Sequence, residues 1–100
     1  MGKLTVRYED GLKESLADPE EAAAYLNAAL DEGSQEVFLL ALRDVAKARG
    51  VSKVADLAEL NRENVYRLLS AKGNPRLSSL NALLRTLGLR FAVEVENVDA

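Results

Sequence analysis

Helix-start and helix-stop signals recur through this sequence at short intervals, and they leave room for little except a bundle of short helices. Asp18-Pro19-Glu20-Glu21 places a side-chain acceptor at an N-cap, proline at the first helical position and glutamate three residues after the cap. Ala22, Tyr25, Leu26, Ala29 and Leu30 then recur at helical spacing up to Gly33. Ser34 offers the cap of a second helix that runs to Arg49, with Phe38, Ala41, Leu42 and Val45 as its stripe and Gly50 as its stop. Three more helices follow with very short connections: Ser52 to Glu59, Asn61 or Arg62 to Lys72, and Ser78 to Leu87. Pro75, in Gly73-Asn74-Pro75, ends the fourth, and Ser78 is placed to cap the fifth, whose stripe is Leu80, Leu83, Leu84 and Leu87. The predicted fold is all-α, a five-helix bundle.

Beyond Gly88 the period changes from helical to alternating. Leu89, Phe91, Val93 and Val95 fall on one face, with Arg90, Ala92, Glu94 and Glu96 on the other, which predicts a short C-terminal β-strand. Leu4, Val6 and Tyr8 alternate in the same way and offer a second short strand near the N-terminus. The expected organisation is an N-terminal arm at 1–17, a helical domain at 18–88 and a strand with tail at 89–100. A lone strand leaves both edges unpaired, so Phe91, Val93 and Val95 are assigned to dimerisation with a symmetry mate. Pairing with the Leu4 to Tyr8 strand, or addition to a partner's sheet, are the rival uses. Val37, Leu39 and Leu40 fall partly outside the stripe of the second helix. That helix is therefore either packed on two sides or keeps an apolar face for a partner.

With 100 residues, 48% of them apolar, the chain holds enough material for one core and not for two. It has no cysteine and no histidine, which removes thiolate nucleophiles, imidazole bases, disulfides and nearly all zinc sites. Adjacent acids such as Glu20 and Glu21 diverge by about 100° on a helix and do not converge on one substrate atom. No enzymatic activity, metal or cofactor is expected. The longest apolar run, Val37 to Leu42, is too short to span a bilayer, and no signal-peptide core opens the chain, so a cytoplasmic protein is expected.

The net charge of −3 conceals segregation. Residues 1–42 carry three basic and nine acidic side chains, residues 43–76 eight and four, and residues 77–100 two and three. The basic middle third coincides with a helix-turn-helix pattern over Ser52 to Ser70. Val54, Leu60, Val65 and Leu68 sit where two such helices bury apolar groups against each other, and Ala55 permits their close approach. Asn61 is placed to cap the second helix, leaving Arg62, Glu63, Asn64, Tyr66, Arg67 and Ser70 facing outward. These are groups that hydrogen-bond base edges or phosphates. Glu63 is repelled by phosphate, and its expected role is an i,i+4 pair with Arg67. The Tyr66 ring either reaches a phosphate through its hydroxyl or lies on the hairpin. The turn commonly has glycine where this chain has Glu59, so its backbone there either avoids a positive φ or accepts strain.

Three segments carry a resemblance: DPEEAAAYLNAAL from Asp18 to Leu30, LALRDVAKARG from Leu40 to Gly50, and NRENVYRLLS from Asn61 to Ser70 followed by Gly73-Asn74-Pro75-Arg76. Together they resemble the probable addiction-module antidote proteins, which are similar in their DNA-binding part to the phage-repressor and Cro class. The resemblance runs from about Leu16 to Val95 and departs at Glu59 and Asn61. It implies the antitoxin of a type II toxin–antitoxin pair, masking a RelE-like or host-inhibition-of-growth-type toxin and repressing the shared operon as a homodimer on double-stranded operator DNA. Carried over by position, Arg62, Glu63 and Arg67 face bases, while Ser52, Lys53, Asn74 and Arg76 lie near phosphates. Asn64, Tyr66 and Lys72 complete the expected DNA-binding set. The acidic N-terminal part suits capture of a basic toxin, with Val37, Leu39 and Leu40 as its apolar anchor. A stand-alone phage-type repressor and a helical interaction module that never touches DNA are the competing readings.

Overall fold

The computed structural model describes residues 11–70 and 72–96 and places six helices in them. Helix α1 covers residues 11–17, followed by α2 (Pro19–Asp31), α3 (Gln35–Arg49), α4 (Val51–Leu57), α5 (Arg62–Leu68) and α6 (Leu77–Thr86). The start signals work as chemistry predicts. The Asp18 carboxylate accepts from the Glu20 amide at 3.2 Å, and the Ser34 hydroxyl oxygen accepts from the Val37 amide at 3.4 Å. Helix α2 packs along α3, α3 against α4, and α4 against both α5 and α6.

One core runs through these contacts. Leu26 and Ala29 of α2 belong to it with Phe38, Leu42 and Val45 of α3, and so do Val54, Val65, Leu69, Leu83 and Leu87 further along the chain. Burial of each large aliphatic side chain contributes about 1.5–3 kcal/mol, so these positions, more than helix propensity, hold helices of seven to fifteen residues together. Among the described residues no helix is long and apolar enough to cross a membrane.

The structure corrects the sequence expectation in several places. Six helices form where five were expected, because residues 11–17, assigned to an arm, are helical. Leu16 drops into the core, and an Arg49 guanidinium N–H donates to the Ala17 carbonyl at 3.2 Å. The Leu4 to Tyr8 strand lies outside the described residues. Helix α5 stops at Leu68 and not at Lys72, since Gly73 folds back so that its amide donates to the Ser70 carbonyl at 2.8 Å. Ser78 is not the cap of α6: Arg76 holds that position without a side-chain hydrogen bond, and Ser78 lies inside the first turn.

The expected strand from Leu89 to Glu96 does not form in this chain. A strand exists through ladder bonds to a neighbour, and the described residues provide no second strand to pair with it. The segment instead anchors by its first residues. The Leu89 amide donates to the Leu84 carbonyl, and the Phe91 ring lies 6.2 Å from that of Phe38.

Candidate nucleic-acid interface

The α4–α5 hairpin is built around buried Val54 and Ala55 on one side and Val65 and Leu69 on the other, with Leu60 partly buried between them. The small side chain of Ala55 lets the two helices approach. The turn is a Schellman closure, with the Leu60 amide donating to the Ala55 carbonyl at 2.8 Å and the Glu59 amide to the Asp56 carbonyl at 3.2 Å. Gly88 closes α6 by the same pair of bonds at φ 77°, whereas the hairpin uses Glu59 at φ 59°. The backbone therefore accepts the left-handed conformation with an L side chain in it.

Helix α5 is capped by Asn61, whose side-chain oxygen accepts from the Asn64 amide at 2.7 Å. With Val65 and Leu69 turned inward, Arg62, Glu63 and Arg67 are exposed. The expected Glu63–Arg67 pair is replaced: Arg67 donates to the side-chain oxygen of Asn64, one turn back. Because that acceptor is neutral, Arg67 is held in place without losing its charge to a carboxylate. Ser70, whose hydroxyl donates to the Arg67 carbonyl at 3.0 Å, is spent on closing the helix.

The residues expected to lie near phosphates are on the surface. Ser52 and Lys53 are exposed in the first turn of α4, and Lys72, Asn74 and Arg76 are exposed on the loop between α5 and α6. That loop is tied down at Gly73, whose carbonyl accepts from the Gln35 side chain at 3.2 Å. A Cβ at Gly73 would lie 2.5 Å from the Leu68 carbonyl oxygen and 3.0 Å from that of Ser70, so only glycine allows this approach. Tyr66 is half-buried and packs on the core. A residue missed by the sequence reading lies over it. The Arg43 guanidinium of α3 sits 5.3 Å from the Tyr66 ring centroid. Residue 43 lies twenty-three positions upstream of Tyr66, and a charge within an apolar helix gives no local sign of its tertiary neighbour.

The expected toxin-facing trio separates. Leu39 is 1% exposed and belongs to the core, because α3 buries a face wide enough to include it between α2 and the rest of the bundle. Val37 and Leu40, 39% and 40% exposed, line a shallow depression with Tyr25, Ala28, Glu32 and Asp44. The Tyr25 hydroxyl donates to the Asp44 carboxylate at 2.8 Å across it. The dimerisation trio separates too. Phe91 is held against its own core, and Val93 and Val95 are 99% and 97% exposed.

A family model described as probable addiction module antidote protein matches residues 8–95. An uncharacterized protein of Haemophilus influenzae is 40% identical over 81 residues, covering 81% of this chain and 84% of the relative. No solved structure is significantly similar to the chain.

Proposed function

Because the chain belongs to the family of probable addiction module antidote proteins, we propose that it is the antitoxin of a type II toxin–antitoxin pair, and that as a homodimer on operator DNA it represses the operon encoding both. The partner is a RelE-like or host-inhibition-of-growth-type toxin, and both proteins work in the cytoplasm. It acts by binding and is not an enzyme.

The observation that carries the DNA-binding half is the outer face of α5. Arg62 and Arg67 are exposed there without a carboxylate partner among the described residues, on a capped helix held against α4 by a small-residue contact. A guanidinium so placed engages guanine O6 and N7 with both arms, while Ser52, Lys53, Lys72, Asn74 and Arg76 supply phosphate contacts around it. The α2–α3 depression supports the antitoxin half. Val37 and Leu40 form an apolar centre, and Glu32 and Asp44 give it an acidic border suited to a basic toxin. Val93 and Val95, too exposed to serve the monomer's core, support a dimer contact at the C-terminal segment.

The test is a gel-shift titration with duplex DNA from immediately upstream of the coding sequence, together with co-purification alongside the adjacent gene product. The Arg62→Ala, Arg67→Ala double variant loses specific binding but still captures the toxin. Wild-type affinity for the upstream duplex in that variant refutes the assignment of the α5 face.

A further inference from the structure

Among the described residues near the proposed DNA-reading helix, Arg43 is in a state that neither the core nor the hairpin explains. Its Nε is buried without a hydrogen-bond partner. Neither Nη nitrogen is buried in that way, and among the described residues none of the three forms a hydrogen bond or an ion pair. The neighbouring carboxylate, Asp44, is engaged by Tyr25. Since successive residues diverge by about 100° on a helix, Asp44 and Arg43 point to different neighbours. Arg43 thus has no carboxylate opposite it among the described residues and lies with the Tyr66 ring as its platform, 5.3 Å away.

The position of Tyr66 on α5 says which way this platform faces. Residue 66 is about 100° around the helix from inward-facing Val65 and about 100° from outward-facing Arg67, so it lies on a flank. A helix seated in a major groove presents its outer face to the base edges and its flanks toward the sugar–phosphate walls. Resting on DNA binding as proposed above, we infer that Arg43 is a phosphate-binding residue. Its Nη groups take a backbone phosphate on the α3 flank of α5, and Tyr66 holds the guanidinium ready. The interface then extends beyond the helix-turn-helix onto α3. The chemistry fits the residue type: a planar guanidinium stacks on a ring and still presents its fork to phosphate oxygens, which an ammonium group does not.

The experiment measures binding of a fluorescently labelled duplex from immediately upstream of the coding sequence, and of a random duplex of equal length, over a range of sodium chloride concentrations. In Arg43→Met the slope of log affinity against log salt becomes shallower by about one unit for each bound subunit, on both duplexes alike, because a phosphate contact is blind to sequence. Arg43→Lys retains the wild-type slope and loses affinity severalfold. If Arg43→Met keeps both the wild-type slope and its helical circular dichroism, Arg43 is only a brace for Tyr66 and the inference is wrong. Should Arg43→Met fail to fold, Arg43→Gln is read in the same way. Wild-type protein that binds neither duplex refutes the DNA-binding reading itself, and the Arg43 inference falls with it. Wild-type binding with slopes insensitive to residue 43 refutes the inference alone.

Discussion

Glu59→Gly should make the protein more stable, although it deletes every side-chain atom at an exposed position of the turn proposed to present α5 to DNA. At φ 59° Glu59 occupies the left-handed region in which Cβ crowds the carbonyl oxygen, at about 1–2 kcal/mol for an L residue. Glycine removes that cost but gives the unfolded chain more freedom, which takes back about 0.4–1 kcal/mol. The net expectation is a gain of about 0.5–1 kcal/mol, or about 2–8 °C in Tm for a domain of this size. The Leu60 to Ala55 and Glu59 to Asp56 backbone bonds do not involve the side chain and survive the change. Thermal and urea unfolding followed by circular dichroism measure the gain. Glu59→Ala separates strain from charge, because it removes the carboxylate and keeps Cβ, and it should stay within about 0.5 kcal/mol of wild type. If Glu59→Gly is no more stable than Glu59→Ala, the left-handed residue carries no strain and the reasoning fails.

Gly73→Ala should act in the opposite direction, losing about 1–3 kcal/mol because the new Cβ meets the carbonyl oxygens of Leu68 and Ser70; unchanged urea unfolding would mean that the loop yields freely. Asn61→Ala should cost about 1 kcal/mol by removing the cap bond to the Asn64 amide, read by the same unfolding curves. Leu40→Asp should leave the protein folded and abolish toxin capture, whereas Leu39→Asp should unfold it, since Leu39 is 1% exposed; toxin capture by folded Leu40→Asp would move the interface elsewhere. Val93→Lys should sediment as a folded monomer and bind the upstream duplex at least tenfold more weakly; a dimer that persists would exclude the C-terminal segment from the interface.

Much of the bundle is legible in the sequence, because helix boundaries are local chemistry. Asp18, Ser34 and Asn61 cap helices through their own backbone neighbourhood, within three residues, and each does so as expected. The stripe Phe38, Ala41, Leu42, Val45 is buried as periodicity requires, and of the stripe Leu80, Leu83, Leu84, Leu87 the last three are buried and Leu80 partly so, since a helix that must bury one face shows it at a period of 3.6. Arg62, Glu63 and Arg67 are exposed by the same rule, whereas Asn64, Tyr66 and Ser70, expected to face outward with them, are partly buried. What the sequence left open was settled by contacts between residues far apart in it. Whether Leu39 is core or surface depends on how wide a face of α3 the other helices cover, and residues 11–17 are helical where Leu16 has a core to enter. A strand at 89–96 depends on a partner, which alternation alone does not supply. Arg67 had two acceptors within reach, and the geometry of one turn chose Asn64 over Glu63. The stacking of Arg43 on Tyr66 arises only when the tertiary fold brings residue 43 of α3 within reach of a ring on α5. Local signals set where α2, α3 and α5 start, and tertiary packing decided which helix faces remain for a partner.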